Sequence, residues 1–184
     1  MNSFYRLALV FVPLLSCLVL NAEDHWNQFR GPSGNGISMA TNVPIRFDES
    51  NNVRWKTFID DSGWSSPVIW DNEIWITSGS DEKNELRTLC VDLETGDIKH
   101  NIKVFDMLPR KTDPAYVYDS PHLNSPATPT PVVEKDHLFV SFGSQGIACL
   151  NRQTGKTVWE RRDLRIYQPV RQGSSPIVDN KRLY

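Results

Sequence analysis

Short apolar runs and polar turns alternate along this chain, and their order repeats. Ser65-Ser66-Pro67-Val68-Ile69 returns as Pro129-Thr130-Pro131-Val132-Val133 and again as Ser174-Ser175-Pro176-Ile177-Val178. A second apolar run follows each segment at the same distance, first as Ile74-Trp75-Ile76-Thr77, then as Leu138-Phe139-Val140-Ser141, then as Leu183-Tyr184. The residues between the two runs are of the kind that favours tight hairpins. The pattern therefore predicts three copies of one β-hairpin.

Each of the first two copies continues into a second half. Cys90-Val91-Asp92-Leu93-Glu94-Thr95-Gly96 matches Cys149-Leu150-Asn151-Arg152-Gln153-Thr154-Gly155. A third strand thus enters a Thr-Gly turn, and a fourth strand leaves it over residues 97–104 and 156–161. Each complete copy is predicted to be a four-stranded antiparallel meander.

The apolar runs indicate how these meanders pack. Ile74-Trp75-Ile76 is apolar at consecutive positions, which is typical of a strand buried on both sides, whereas a sandwich strand with one wet side would alternate. Pro131 and Pro176 are 45 positions apart, a period within the range of propeller blades. The predicted fold is all-β, a β-propeller of four-stranded antiparallel blades. This sequence contains about two and a half of these blades.

The repeat also predicts the domain organisation. Residues 64–184 form the partial propeller, with blade one at 64–123, blade two at 124–168 and the start of blade three at 169–184. Pro67 and Pro131 are 64 positions apart. We assign the excess in blade one to the hairpin over residues 81–86 and to the connection after residue 101, because insertions belong in loops on a propeller face.

Residues 23–63 precede the repeats and are predicted to brace them. Asn52-Val53-Arg54-Trp55-Lys56 resembles the fourth strand Thr157-Val158-Trp159-Glu160-Arg161. Because no first three strands precede it, we predict that it closes the ring by completing the last blade. A glycine-rich stretch over residues 31–36 follows no strand and opens no helix, which favours a rigid loop over a phosphate site.

Residues 1–22 have the order of features of a secretory signal peptide. Arg6 precedes an apolar run from Leu7 to Leu20, and the small residue Ala22 offers a cleavage site. The run is shorter than the roughly 18 residues that a membrane-spanning helix needs. We therefore expect an exported protein, periplasmic or associated with the cell envelope, with no transmembrane span after signal removal. A lipid anchor at Cys17 is the alternative, because Leu14-Leu15-Ser16-Cys17 resembles a lipobox.

Composition narrows the possible partners. The chain has 20 Lys+Arg against 22 Asp+Glu, a formal charge of −2, and 39% hydrophobic residues. These values are typical of a globular protein and speak against intrinsic disorder and against a strongly basic nucleic-acid binder. We expect protein partners on a propeller face and no nucleic acid.

The sequence offers few candidate residues for catalysis, metal binding or ligand binding. His25, His100, His122 and His137 are scattered without metal-ligand spacing, so zinc is not expected. The connection over residues 113–124 has the most unusual composition, and loops on a propeller face usually carry binding groups. Its Tyr116, Tyr118 and His122 are the candidate binding residues. No catalytic, cofactor-binding or metal-binding residue is predicted.

Two motifs resemble a known family. Thr154-Gly155-Lys156 followed by Trp159 resembles the tryptophan-docking motif of quinoprotein-dehydrogenase-like propellers, in which a Trp locks adjacent blades together. Trp26-Asn27-Gln28-Phe29-Arg30-Gly31-Pro32 resembles the start of exported bacterial proteins with PQQ-binding-like β-propeller repeats. The chain departs from the motif at Cys149 and Asn151, and His100 stands in blade one where the Trp is expected.

The resemblance implies two competing functions. The favoured one is a binding or assembly scaffold of the bacterial envelope, as in the related propeller lipoprotein of the outer-membrane protein assembly machinery. The alternative is an oxidoreductase that uses PQQ and Ca²⁺, with catalytic residues in blades beyond this sequence. Such enzymes often cover PQQ with a disulfide between adjacent Cys, and no adjacent pair occurs here. Asp92 and Asn151 hold equivalent turn positions and are predicted to be structural.

The two blade cysteines are predicted to be unlinked. Cys90 and Cys149 occupy equivalent positions of neighbouring blades. Facing sheets lie roughly 10 Å apart, whereas bridged Cα atoms need less than about 7 Å. Both are expected to be buried near the contact between blades.

Overall fold

The computed structural model describes residues 25–41, 43–108, 123–164 and 170–184. The predicted signal peptide with Cys17, and the candidate binding residues Tyr116, Tyr118 and His122, lie outside the described residues. Within the described ranges, no helix is long and apolar enough to cross a membrane.

In the described part of the chain, ten strands form two four-stranded sheets and one hairpin. The first sheet contains β1 (Val68–Trp70), β2 (Glu73–Ser80), β3 (Glu85–Asp92) and β4 (Ile98–Asp106). The second contains β5 (Val132–Val133), β6 (His137–Ser141), β7 (Ile147–Asn151) and β8 (Thr157–Arg161), with a 3₁₀ turn at Gly143–Gln145. The hairpin pairs β9 (Val178–Asp179) with β10 (Arg182–Leu183). The strands pair antiparallel in chain order, so the predicted all-β class with four-stranded antiparallel blades is confirmed.

The meander order gives the blades two distinct ends. The β1–β2 and β3–β4 turns lie at one end, together with the matching turns of blade two, and we call this end the turn face. The hairpin over residues 81–84 lies at the opposite end, where the connection from blade one to blade two also leaves β4. We call that end the hairpin face.

The first hairpin differs in part from the sequence prediction, which placed its extra residues in a loop. β2 and β3 have eight residues each, whereas β6 and β7 have five each. The extra residues thus lengthen paired strands, in register from Ser78↔Arg87 to Ser80↔Glu85, instead of enlarging a loop. Added residues remain paired because each new pair satisfies backbone groups that a loop would leave to water.

The hydrophobic core lies between the two blades. Its fully buried members come from both sheets, and they include Trp75, Leu86, Val133, Leu138 and Leu150. Burial is stronger on the side of each sheet that faces the other blade, so Trp75 is fully buried while its neighbours Ile74 and Ile76 are half-buried. The prediction of burial on both sides of β2 therefore holds fully for one side and partly for the other.

A repeated hydrogen bond joins the blades where the first strand of each begins. The amide of Ser66 donates to Oγ1 of Thr130 at 3.0 Å, and the amide of Thr130 donates to Oγ of Ser175 at 3.0 Å. The hydroxyl residue of the second and of the third Ser/Thr-Pro segment thus accepts a bond from the segment before it.

Replacing Thr130 by Val should destabilise the protein by about 1 kcal/mol, because the shape is kept while the amide of Ser66 loses its acceptor. Thr130 is 2% exposed, so water cannot replace the hydroxyl. The matched control is Thr157→Val on the exposed outer strand β8, where little change is expected. Chemical denaturation of both variants measures the difference, and equal stabilities would contradict the role of Thr130.

The N-terminal segment packs on the inner strands of both blades. Trp26 exchanges two backbone hydrogen bonds with Ile69 of β1, at 3.0 and 2.8 Å, and the amide of Val133 in β5 donates to the carbonyl of Asn27 at 2.9 Å. The ring of Trp26 covers Gly31, where an added Cβ would lie 2.6 Å from the ring. The glycine-rich loop is therefore held against the blades.

Trp55 lies on the Thr-Gly turn of blade one. Its indole Nε1 donates to the carbonyl of Leu93 at 2.9 Å, and its ring covers Gly96, which has a φ of +79°. The equivalent Gly155 of blade two is covered by Ile102, which lies in β4 of blade one. Residues 52–56 form no strand that pairs with the described residues, and the proposal that they close a ring remains a prediction.

Candidate functional site

A cleft of about 380 Å³ opens on the turn face, where the two blades meet the N-terminal segment. We call it the turn-face cleft. The N-terminal segment contributes His25 and Asn27, and blade one contributes Trp70. The β5–β6 turn of blade two contributes the four consecutive residues Glu134, Lys135, Asp136 and His137.

The wall on the blade-one side is a stacked pair of rings. The rings of His25 and Trp70 lie 3.9 Å apart with an interplanar angle of 10°. The amide of Asp71 donates to Nδ1 of His25 at 3.3 Å, and Nε2 of His25 lies 3.9 Å from the Asp71 carboxylate. Trp70 also packs against the core, so this wall is anchored to the interior of the fold.

The wall on the blade-two side carries charges without partners. The turn is closed by the amide of Glu134, which donates to the carbonyl of His137 at 2.8 Å. The carboxylate of Glu134 and the ammonium of Lys135 make no hydrogen bond or ion pair with the residues that the structure describes. Among the described residues, the Asp136 carboxylate receives one long contact, 3.5 Å from Nε2 of Gln153.

Arg152 fixes the position of one wall relative to the other. It is 8% exposed and donates from Nη1 to Oε2 of Glu73 in blade one at 2.6 Å. From Nε it donates to the carbonyl of Lys135 at 2.9 Å. Its Nη2 also lies 3.6 Å from the carboxylate of Asp71. One buried guanidinium thus binds both turns that border the cleft.

Glu73 is held from two directions. Its Oε2 accepts hydrogen bonds from Arg152 and from the indole Nε1 of Trp75 at 3.0 Å. Trp75 is fully buried and stacks on His100 at a centroid distance of 5.7 Å. The ion pair that joins the two blades is therefore backed, through Trp75, by an aromatic stack within blade one.

The chemistry of the cleft is recognition by charge and shape. It offers the carboxylates of Glu134 and Asp136, the ammonium of Lys135 and an aromatic wall, a combination that suits a polar or charged group with an apolar stem. His25 and His137, which the sequence places far apart, both line it. Among the residues that the structure describes, no three His, Cys, Asp or Glu side chains are arranged to hold a metal ion.

Asp92 and Asn151 use their side-chain oxygens within their own turns. Oδ1 of Asp92 accepts from the amides of Glu94 and Thr95 at 2.9 Å, and Oδ1 of Asn151 accepts from the amide of Thr154 at 2.8 Å. The bond from the Thr95 amide, then the Lys99 ammonium 3.1 Å from Oδ2, and then the Glu94 amide lower the pKa of Asp92 to about 2. Oδ1 of both residues has the structural turn role that the sequence predicts.

The two blade cysteines are buried and unlinked. Cys90 and Cys149 are both free. Burial raises the pKa of Cys90 to about 12 and that of Cys149 to about 11. A nucleophilic cysteine needs a lowered pKa and access to solvent, so these two side chains act as small apolar residues of the core.

The connection from blade one to blade two is anchored at both ends on the hairpin face. Where it leaves, the amide of Met107 donates to the carbonyl of Asn84 at 3.0 Å. Where it returns, Nδ2 of Asn124 donates to the carbonyl of Val170 at 3.1 Å. The candidate binding residues Tyr116, Tyr118 and His122 belong to the undescribed part between these anchors and remain predictions.

Sequence reasoning missed the turn-face cleft and Arg152. The cleft joins residues from three distant parts of the chain, and no local spacing indicates that they meet. Arg152 did stand out in one respect, because it follows Asn151 where the first copy has Leu93 after Asp92. A charged residue at an apolar position of a repeat is the signal that would have identified it.

Comparisons with known proteins return distant structural similarities. No family model matches the chain, and no curated protein matches it. The crystal structure of BamB from Moraxella catarrhalis matches with 17% identity and a TM-score of 0.46, over 71% of this chain and 32% of that one. A europium-containing methanol dehydrogenase matches with 14% identity and a TM-score of 0.45, over 67% of this chain and 20% of that one. The chain thus spans about a third and a fifth of the lengths of these two proteins.

Proposed function

We propose that this chain is part of an exported β-propeller that binds a protein partner in the cell envelope as an assembly scaffold. The observation that carries the proposal is the turn-face cleft, whose walls come from two blades and the N-terminal segment. Buried contacts hold these walls in place, whereas the Glu134 carboxylate and the Lys135 ammonium have no partner among the residues that the structure describes. Pre-formed polar sites of this kind lose little conformational entropy on binding.

Export is supported by the sequence of residues 1–22, which has the features of a signal peptide. A mature protein that starts after Ala22 or at a lipidated Cys17 would be placed outside the cytoplasm in either case. A lipid anchor would additionally hold the propeller at a membrane surface. Mass spectrometry of the N-terminal peptide from the exported protein distinguishes the two processing routes.

The alternative with PQQ and Ca²⁺ finds no support among the described residues. Asp92 and Asn151, the acid and amide considered for calcium, are committed to turns in different blades. Titrating the full chain with PQQ and Ca²⁺ while following the quinone absorbance should give no saturable change. Saturable binding with reduction of a dye by an alcohol would instead establish a quinoprotein oxidoreductase.

Site-specific photo-cross-linking tests the scaffold proposal. A photoreactive residue at Lys135 on the turn face, in the full chain expressed with its own leader in its native host, should give a discrete protein adduct. The matched control places the same residue at Glu82, which is exposed on the hairpin face. Absence of an adduct from both positions would overturn the proposal. An adduct only from position 82 would move the binding surface to the connection with Tyr116, Tyr118 and His122.

A further inference from the structure

We infer that the turn-face cleft receives a basic side chain of the partner, and that an arginine fits it best. The inference rests on the proposed function, in which a protein partner binds this face. It concerns the chemical class of the group that enters the cleft.

Hydrogen-bond acceptors without donors predominate in the cleft. The Glu134 carboxylate has no partner within the described part of the chain, and Asp136 has one long contact at 3.5 Å. Oδ1 of Asn27 is buried and accepts no hydrogen bond. A buried acceptor without a donor is costly, and native proteins usually satisfy it with water or a ligand. The cleft therefore favours a ligand that brings donors.

The charges of the cleft favour a cation. The guanidinium of Arg152 is committed to Glu73 and to the backbone carbonyl of Lys135, so its charge is compensated within the fold. Asp71 lies at the rim, 3.6 Å from Arg152 and 3.9 Å from His25, and is largely exposed. Lys135 is the only Lys or Arg of the lining and has no ion pair with the described residues, whereas Glu134 and Asp136 flank it with two carboxylates.

The aromatic wall matches the aliphatic stem and the planar guanidinium of an arginine side chain. The stacked pair of His25 and Trp70 lines the same cleft as the carboxylates of Glu134 and Asp136. A guanidinium has five N–H donors and no acceptor, and it packs well on aromatic groups while binding carboxylates in pairs. An ammonium is more strongly hydrated and has no plane to match the wall.

A matched pair of peptides tests this inference on the full chain. The first probe is an acetylated and amidated peptide of five residues with a central arginine, and the second has citrulline in place of the arginine. The pair has nearly the same shape and differs in charge. Nuclear magnetic resonance should show saturable shifts of the Trp70 and His25 signals with the arginine peptide and much weaker ones with citrulline.

Three variants make the test specific. Glu134→Gln should weaken binding of the arginine peptide by about tenfold, because a charge-assisted hydrogen bond is replaced by a neutral one. Lys135→Glu should tighten it several-fold, since a repelling cation becomes an attracting anion. Glu160→Gln on the exposed strand β8 is the matched charge control and should leave the affinity unchanged. Circular dichroism checks that each variant is folded.

The outcomes separate the inference from the proposed function. Equal binding of the two peptides, or no effect of Glu134→Gln, would overturn the inference while an adduct from position 135 would keep the scaffold proposal. Weaker binding by Lys135→Glu would mean that the group entering the cleft is acidic. Loss of both the adduct and the peptide binding would overturn both.

Discussion

Replacing Arg152 by Ala should lower the free energy of unfolding by about 3 kcal/mol, the low end of the range for breaking a buried ion pair. The Arg152 side chain is 10% exposed and that of Glu73 is 19% exposed. Removing the guanidinium would leave the Glu73 carboxylate with only the indole of Trp75 as donor, and the carbonyl of Lys135 would also lose a bond. Chemical denaturation of the purified full chain measures the effect.

Arg161→Ala is the matched control for Arg152. Arg161 pairs with Asp163 at 2.6 Å, but their side chains are 55% and 68% exposed. Exposed pairs contribute between 0 and about 1 kcal/mol, so this variant should remain close to the unchanged protein. Similar losses in the two variants would mean that the contact between the blades does not depend on the Arg152–Glu73 pair.

Replacing Gly96 by Ala should displace Trp55 and destabilise the protein by about 2–4 kcal/mol, from strain at a positive φ and from overpacking. An added Cβ would lie 2.6 Å from the Trp55 ring. The turn cannot relax easily, because the amide of Gly96 donates to the carbonyl of Asp92 at 2.9 Å. The indole N–H signal of Trp55, which reports its bond to Leu93, should shift toward that of a solvent-exposed tryptophan.

Gly34→Ala separates the two contributions. Gly34 has a φ of +64°, and an added Cβ there would have no heavy atom within 4 Å. This variant should show the backbone strain alone, about 1 kcal/mol, and leave the Trp55 signal in place. If Gly96→Ala costs no more than Gly34→Ala, the packing of Trp55 on the turn contributes little to stability.

The strands could be predicted because the sequence pattern of each strand occurs in more than one repeat. Asp92 and Asn151 begin the same turn in two blades, and both accept hydrogen bonds from amides two or three residues on. The lengths of the strands were predicted less well, because they depend on how the strands pair and pack in the folded sheet. The extra residues of the first hairpin lengthen its two paired strands, since strand pairing satisfies more backbone groups than a loop does.

The candidate site could not be predicted because its residues meet only through tertiary structure. His25 reaches Trp70 because Trp26 pairs with Ile69 at the inner edge of β1. The His137 turn joins them because the blades stack through the core and the Arg152–Glu73 pair. Composition showed scattered histidines and balanced charge, and neither indicates a cleft between distant segments.

Amide hydrogen exchange of the full chain, alone and in the complex isolated from the cell envelope, shows whether the partner binds at the turn-face cleft. The partner should slow exchange in the turn at residues 70–73 and in the turn at residues 134–137, which border the cleft. Exchange in the hairpin over residues 81–84 should be unchanged. Protection confined to that hairpin, with both turns exchanging as in the free chain, would contradict binding at the turn-face cleft.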